Sequence, residues 1–267
     1  MARPIMVAIA GDSGTGKSSL AAGLCRVLGE GQCAVAGLDG YFALDRAQRN
    51  AVGLTPMNPK THDFAAMDED VWKLANGFAI NKPAYDHLAG TVAGTEIVES
   101  RPIVIVQGRF PLYTHVLRSL FDVTVWLERE DDLRLPWTVH RDLSPDDDDG
   151  RVRDAREQRR ADYRLYVKPQ SAFAYVRVRY THAGVEFVDD RELPDGIALD
   201  ADPNTEAAAE LRRMLVRMIE GKLDLPNLAE LGRYGPDQAL SHVFALTELV
   251  VLRRIAAAAR RAVLAEV

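Results

Sequence analysis

The sequence predicts an α/β fold built on a doubly wound, mostly parallel sheet. Short apolar runs alternate with segments of helical periodicity, beginning with a run at 5–10, an amphipathic stretch at 17–28 and a second run at 34–38. Apolar runs this short are typical of strands that are buried on both faces of a parallel sheet. The alternation therefore indicates βαβ units and a layer of helices on each face of the sheet.

The first predicted strand leads directly into the pattern G-x-x-x-x-G-K-S at 11–18. In this pattern, glycines let backbone N–H groups point into one concavity, the lysine reaches the β- and γ-phosphates, and the serine hydroxyl ligates Mg²⁺. The helix that follows adds its positive N-terminal end. The strand, loop and helix together predict a phosphate-binding loop of the P-loop NTPase type that binds a nucleoside triphosphate.

The middle of the chain continues the alternation and interrupts it once. A helical stretch at 68–78, strands at 103–106 and 123–127, and an amphipathic segment at 113–120 extend the βαβ pattern. Between them, residues 82–100 have strand-like pairs around glycines, which predicts a β-hairpin excursion beside the sheet edge. Such an excursion can form one wall of a substrate pocket.

A lid is predicted at about 142–154. Helical segments at 131–142 and 154–166 flank an acidic loop bounded by proline and glycine. The flanking helices carry many arginines, which favours a lid over phosphates, although pairing along solvated helices accounts for most of them. Arg141 is retained as a candidate ligand of the nucleotide.

The remaining elements, two strands and two helices, are predicted at 176–180, 185–188, 205–221 and 236–265. We expect a kinase-like core at 1–202 and a C-terminal helical extension of the same domain at 203–267.

Composition restricts the class of partner. With 33 basic and 39 acidic side chains the formal charge is −6, so no electrostatic argument favours nucleic acid, and a small-molecule partner fits better. The absence of a leader pattern and of a long apolar run predicts a cytoplasmic protein without a membrane span. Cys25 and Cys33 are expected to be reduced, partly buried thiols. A homodimer is expected from general frequencies alone.

Asp39 is the candidate general base for phosphoryl transfer. It follows the second strand, at the sheet edge where ligands bind in open α/β folds, and it lies next to the phosphate loop if the first two strands are neighbours. Because Asp39 precedes Gly40, a turn-forming role is the alternative.

Several segments resemble the phosphoribulokinase and uridine kinase group of phosphate-loop kinases. They are L-D-G-Y-F at 38–42, K-P-A-Y-D-H at 82–87, the run ending in P-Q at 160–170, and two C-terminal segments at 231–234 and 240–249. The K-P-x-Y-x-H and P-Q elements favour the phosphoribulokinase branch.

The resemblance implies ATP-dependent phosphoryl transfer, with Mg²⁺, to a hydroxyl of a small sugar phosphate. It assigns catalytic roles to Asp39, Lys17 and Asp142. For Arg46, His87 and Asp142 the alternative is a purely structural role, at the surface, in a turn or at a helix end. The other assignments are nucleotide contacts from Gly11, Asp12, Ser13, Gly14, Thr15, Gly16, Lys17, Ser18, Ser19 and Arg141, substrate contacts from Arg46, Tyr85, His87 and Arg109, and metal ligation by Ser18, Asp39 and Gln107.

The chain also departs from the family pattern. Gln107 stands where the family has an acid, which removes one negative charge from the Mg²⁺ surroundings. Aspartates fill the lid at 146–149, and Phe42 and Tyr175 replace a histidine and an aspartate. These departures leave two alternatives: a uridine or cytidine kinase with a neutral acceptor, and a catalytically impaired ATP-binding paralogue.

Overall fold

A computed structural model describes residues 3–29, 31–130, 157–181, 184–189, 213, 216–217, 219, 223–233 and 238–265. The strands are β1 (Ile5–Gly11), β2 (Cys33–Gly37), β3 (Ile80–Asp86), β4 (Thr91–Val98), β5 (Ile103–Gly108), β6 (Val123–Arg129), β7 (Val176–Thr181) and β8 (Gly184–Asp189). The α-helices described over their whole length are α1 (Lys17–Leu28), α2 (Arg46–Ala51), α3 (Phe64–Ala75), α4 (His115–Leu120) and α5 (Gln238–Ala265).

Six strands form one sheet in the order β2-β5-β1-β6-β7-β8. All neighbours are parallel except β7 and β8, while β3 and β4 form a separate antiparallel hairpin. The predicted doubly wound, mostly parallel sheet with a hairpin excursion is therefore confirmed.

Side chains of β1 alternate between two buried layers, which explains why its sequence is a continuous apolar run. Val7 and Ile9 join the core beneath α1 and α5. Met6 and Ala8 join the core on the opposite face, beneath α3 and α4. The sheet is thus covered on both sides, and the loops that follow its parallel strands meet at one edge.

The first two strands, β1 and β2, are not neighbours in the sheet, so the condition under which Asp39 would lie directly beside the phosphate loop is not met. β5 lies between β1 and β2, pairing Ala8 with Val106 on one side and Ala36 with Val106 on the other. The phosphate loop and the end of β2 are consequently separated by one strand. Residues that follow β5 can therefore contact both the phosphate loop and the residues at the end of β2.

Two helices have boundaries in the structure that differ from the predicted ones. The helix predicted at 68–78 begins at Phe64, because the Asp63 side chain accepts the Ala66 N–H at 3.0 Å. The helix predicted at 154–166 is described only from 157, and after 162 it becomes a π-helical turn at Tyr163–Val167. The lid at 142–154 and the domain boundary at 202 lie outside the described residues.

Within the described part of the chain, no helix combines the length and apolar character that a membrane-spanning helix requires.

The two cysteines form a disulfide, so the expectation of reduced thiols is wrong for this structure. Cys25 lies in the last turn of α1 and Cys33 is the first residue of β2, with their Cα atoms 5.3 Å apart. The turn between helix and strand brings the two side chains together, a juxtaposition that sequence spacing does not reveal.

Removing this disulfide is expected to lower the free energy of unfolding. Closing a loop with a sequence separation of 8 residues corresponds to about 2.5 kcal/mol by loop-closure entropy. Cys33→Ser should therefore unfold at lower urea concentration than the oxidised wild type, and added reductant should lower the wild-type midpoint to that of the variant. A wild-type midpoint that does not respond to reductant would contradict the prediction.

Candidate active site

The phosphate loop joins β1 to α1 and requires its glycines. Gly14 and Gly16 have φ values of 74° and 85°, in the left-handed region that glycine adopts without strain. Gly11 has φ 152°, and a Cβ there would lie 2.3 Å from the Leu127 carbonyl oxygen. The loop backbone therefore approaches β6 more closely than any side chain permits.

Lys17 is held inside this loop. Its side chain is buried, and Nζ donates to the Asp12 carbonyl oxygen at 2.5 Å. The Thr15 hydroxyl donates to the same oxygen at 2.9 Å. The predicted loop residues Asp12 to Ser19 thus lie together at the N-terminus of α1, where backbone N–H groups and the helix dipole favour anions.

Arg109 connects the loop to the candidate base. It follows β5, donates from Nη1 to Asp39 Oδ1 at 3.0 Å, and donates from Nε and Nη2 to the Ser13 hydroxyl at 3.3 and 3.2 Å. Gln170 fixes the Arg109 backbone, since its Nε2 donates to the Arg109 carbonyl at 2.9 Å. Asp39 therefore faces the phosphate loop across one guanidinium group.

The charge of Asp39 is stabilised by its neighbours. Burial by itself raises the pKa of this carboxyl group, but the positive charges of Arg109 and then Lys17, with a smaller contribution from His87, outweigh burial and hold the pKa below its ordinary value. Asp39 is consequently a carboxylate at neutral pH.

The hairpin β3–β4 closes over this carboxylate. Gly40 permits the approach, because a Cβ there would lie 1.8 Å from the Pro83 carbonyl oxygen. The approach brings His87 Nε2 within 3.9 Å of Asp39 Oδ2. Arg46, at the start of α2, secures the hairpin tip by donating to the carbonyl oxygens of His87 and Leu88 at 2.6 and 3.3 Å.

An aromatic wall lies beside Asp39, formed by Phe42, His62 and Tyr85. The Phe42 ring is 4.5 Å from the His62 ring and 4.9 Å from the Tyr85 ring, and the guanidinium of Arg49 lies 4.1 Å over it. Burial, with a further contribution from Arg109, lowers the pKa of His62 to about 3. His62 is therefore neutral and contributes shape, while the arginines contribute charge.

The oxygen donors fit Mg²⁺ only as partners of a nucleotide. Ser18 Oγ lies 3.5 Å from Gln107 Oε1, but among the described residues no group of three His, Cys, Asp or Glu side chains has the arrangement of a metal site. Mg²⁺ generally takes one or two protein ligands and fills its shell with phosphates and water. Ser18 and Gln107 suit that pattern, whereas Asp39 is already engaged by Arg109.

Comparison with known proteins agrees with this arrangement. The model of the Phosphoribulokinase / Uridine kinase family matches residues 6–183, which carry the phosphate loop, Asp39, the hairpin and Gln170. The chain belongs to this family. A phosphoribulokinase from Synechocystis is 33% identical over 181 residues, 66% of this chain and 54% of that protein. A uridine kinase from Clostridium perfringens is 30% identical over 148 residues, 54% of this chain and 71% of that protein.

A solved phosphoribulokinase structure is also similar to this chain in fold. A phosphoribulokinase from Rhodobacter spheroides superposes with a TM-score of 0.62 over 97% of this chain and 99% of that one, at 12% identity, which shows a shared fold. The chain spans about half the length of the curated phosphoribulokinases it matches.

Most of the site residues that the phosphoribulokinase and uridine kinase pattern predicts belong to the described part of the chain, but two do not. Lys17, Ser18, Asp39, Gln107 and Arg109 meet at the sheet edge. Tyr85 and His87 face them from the hairpin, and Arg46 lies at the hairpin tip. Arg141 and Asp142 lie outside the described residues. All of these assignments remain predictions.

Sequence reasoning missed four side chains that build the site. Gln170 anchors Arg109, and His62 lies against Phe42. Arg159 donates to Asp12 Oδ1 at 3.4 Å, reaching the phosphate loop from the helical segment that follows the predicted lid. Arg49 is buried against the aromatic wall. Of these, Gln170 belonged to a quoted family motif and Arg159 to the arginine-rich region, whereas the other two carried no local signal.

Restoring the acidic side chain of the family pattern tests the metal environment. Gln107→Glu is expected to lower the Mg²⁺ concentration for half-maximal turnover about fivefold, equivalent to about 1 kcal/mol of exposed electrostatic stabilisation. Its carboxylate would add a negative charge beside Ser18. The measurement is kcat as a function of free Mg²⁺.

Gln48→Glu is a matched control for this substitution. Gln48 lies on the exposed side of α2 in a capping box that accepts Glu equally well. This control should leave the Mg²⁺ dependence unchanged. A marked fall in turnover for Gln107→Glu would show that the amide belongs to a working site.

Proposed function

We propose that this protein is an ATP-dependent kinase that transfers the γ-phosphoryl group to a hydroxyl of a small sugar phosphate. The observation that carries the proposal is the double contact of Arg109 with Ser13 in the phosphate loop and with Asp39 at the end of β2. A phosphate cradle and a carboxylate base thereby share one site, which is the arrangement that phosphoryl transfer to a hydroxyl requires.

Each side chain then has a defined task. The loop N–H groups and Lys17 hold the phosphates and stabilise charge on the transferred group. Asp39 accepts the acceptor O–H proton while that oxygen bonds to the γ-phosphorus and the bond to the β–γ bridging oxygen breaks. Ser18 and Gln107 would hold Mg²⁺, which when bound would neutralise negative charge on the phosphates. Arg109 keeps Asp39 oriented toward the loop.

A phosphorylated acceptor is favoured by the cations beside Asp39. Arg109 and Arg49 both face the Phe42 ring, at 5.6 and 4.1 Å. Tyr85, His87 and Arg46 would contact the sugar phosphate from the hairpin side, and Arg141 and Asp142 would complete the site from the lid. The similar proteins named phosphoribulokinase support the same acceptor class.

Two alternatives have specific support. A uridine or cytidine kinase is favoured by the similarity to a uridine kinase. A catalytically impaired nucleotide-binding protein is favoured by Gln107, because the amide leaves the metal surroundings one negative charge short.

An ADP-release screen distinguishes the proposed sugar phosphate kinase from these two alternatives. Pentose phosphates, polyol phosphates and pyrimidine nucleosides are each supplied with MgATP, and ADP formation is followed. Turnover confined to phosphorylated acceptors supports the proposal, and turnover confined to nucleosides supports the first alternative. MgATP binding without turnover of any acceptor supports the impaired paralogue.

The cytoplasmic location and the homodimer also remain proposals. Cell fractionation tests the first, and light scattering of the purified protein tests the second.

A further inference from the structure

Arg109 carries hydrogen-bond donors that the described residues do not use. A guanidinium group has five N–H donors and no acceptor. Asp39 Oδ1 receives one of them at 3.0 Å, and the Ser13 hydroxyl receives two, at 3.3 and 3.2 Å. One N–H group on each terminal nitrogen therefore remains, without an acceptor in the described part of the chain. The side chain is only 10% exposed, so leaving these donors unfilled is costly, and two adjacent N–H groups match the oxygens of a phosphoryl group.

The guanidinium lies between the two sides of the site. Ser13 belongs to the phosphate loop, and Asp39 is the residue that would bind the acceptor hydroxyl. Because one guanidinium contacts both residues, it spans the gap across which a phosphoryl group would move from nucleotide to acceptor. Its remaining donors are therefore placed beside that path.

The Ser13 hydroxyl supplies a further donor at the same place. Its oxygen accepts from two N–H groups of Arg109, which has no acceptor to offer in return. The hydroxyl hydrogen of Ser13 must then point elsewhere, and the described residues give it no acceptor. Receiving bonds from a cation polarises the hydroxyl and strengthens its own donation.

Arg109 is fixed before any ligand binds. Its carbonyl oxygen accepts from Gln170 Nε2 at 2.9 Å, and Gln170 Oε1 accepts the Leu112 N–H at 3.1 Å, so one buried amide holds the backbone on both sides of Phe110. The Phe42 ring flanks the guanidinium at 5.6 Å. Donors held in place in advance stabilise developing charge without a cost of reorganisation.

We propose that Arg109 is a catalytic residue whose two remaining N–H groups contact the transferred phosphoryl group, with the Ser13 hydroxyl as a third donor. As the acceptor oxygen bonds to the γ-phosphorus, the bond to the β–γ bridging oxygen breaks, its electron pair stays on ADP, and the acceptor proton goes to Asp39. Arg109 keeps all its protons and stabilises the charge on the phosphoryl oxygens. This inference rests on the proposed function, because it requires transfer of the γ-phosphoryl group.

Calorimetric titration of the intact protein with MgADP, with and without fluoroaluminate, tests the contact without depending on turnover. Fluoroaluminate mimics the phosphoryl group in transit beside ADP, so the affinity that it adds to MgADP binding reports on donors directed at that group. Arg109→Gln should reduce this added affinity by about tenfold to a hundredfold, the range for a hydrogen bond to a charged group. Affinity for MgADP alone should change little, because the phosphate loop is intact.

An Asp39→Asn background separates direct contact from action through Asp39. Asparagine keeps an acceptor for Arg109 and removes the carboxylate charge. If Arg109 touches the phosphoryl group, Arg109→Gln loses the same added affinity in this background, because the two effects are independent. A loss that appears only when Asp39 is intact, or an equal loss of affinity for MgADP alone, would overturn the inference and leave Arg109 a positioning role.

Arg109→Lys is the second variant, and thermal unfolding shows whether each variant keeps its fold. Lysine retains the charge but lacks the planar fork of donors, so it should recover only part of the added affinity. Full recovery would contradict donation from two positions. Arg101→Gln is the matched control, since Arg101 is exposed and pairs with Glu99 at 2.6 Å. It should bind MgADP and fluoroaluminate as the wild type does.

The proposed function fails separately from the inference. If the wild type turns over only nucleosides and Arg109→Gln loses the added affinity, the acceptor class is wrong and the inference stands. If the wild type phosphorylates a sugar phosphate and Arg109→Gln keeps the added affinity, the function stands and the inference is wrong. If fluoroaluminate adds nothing to MgADP binding in the wild type and no acceptor is turned over, both are wrong.

Discussion

Asp39→Asn is expected to lower kcat by at least about a hundredfold, the lower end of the range for losing general acid–base catalysis. The substitution keeps the shape of the side chain and a hydrogen-bond acceptor for Arg109, which donates to it at 3.0 Å. It removes the negative charge that receives the acceptor proton in the proposed reaction. MgATP affinity should change little, because the phosphate loop is intact. Single-turnover kinetics and nucleotide titration measure the two effects.

The pH dependence of kcat/KM in the wild type provides a second test of the role of Asp39. Because the pKa of Asp39 is held below its ordinary value of 3.8, the carboxylate remains ionised as the pH falls from neutral to that value. Loss of kcat/KM above that pH should therefore not be caused by protonation of Asp39. Because phosphoryl transfer depends mainly on positioning and charge stabilisation, a weakly basic carboxylate is sufficient to orient the acceptor hydroxyl.

Glu99→Gln is a control that removes one exposed carboxylate far from the loop, where Glu99 pairs with Arg101. Its kcat should equal that of the wild type. If Asp39→Asn lost MgATP affinity to the same extent as kcat, Asp39 would hold the phosphate loop in place instead of accepting a proton.

Lys17→Met is expected to lower kcat by about a hundredfold to a thousandfold, as for the removal of one preorganised donor from a developing negative charge. The buried ammonium group is fixed by the Asp12 carbonyl inside the phosphate loop, where the proposed reaction would bring the phosphate charge. Methionine retains the length of the side chain and removes its charge. The KM for MgATP should rise as well, because in the proposed reaction Lys17 contacts phosphate before and during transfer. Steady-state kinetics at varied MgATP measure both changes.

Lys73→Met provides the matched comparison. Lys73 lies on the outer side of α3 and pairs with Glu69 at 2.7 Å, so its replacement should leave both constants unchanged. Thermal unfolding of the two variants separates loop collapse from lost charge. A fall in kcat below tenfold for Lys17→Met, with the fold intact, would contradict the assigned role.

The predictable part of the site was local. The glycines at 11–16 and the adjacent Lys17 specify loop conformation and chemistry within a few residues, so the pattern alone indicated a phosphate-binding loop. Asp39 was identified because the carboxyl end of a parallel strand is a binding edge. The hairpin was predicted because its glycines and alternating side chains are also local signals.

The unpredicted part depended on which distant segments meet. The insertion of β5 between β1 and β2 placed Arg109 between the loop and Asp39, and no local pattern reports strand order. Gln170 reaches Arg109 across 61 residues of chain. The disulfide between Cys25 and Cys33 likewise depends on how α1 turns into β2.

The sequence by itself determined the α/β class, the phosphate loop and the family to which the chain belongs, because strand periodicity, glycine conformation and the G-K-S step depend on neighbouring residues. Only the tertiary structure decided that Arg109 bridges Ser13 and Asp39 and that Arg49 is buried against Tyr85. These contacts arise from packing between segments that are far apart in the chain. The charge pattern of the acceptor site is therefore a property of the fold.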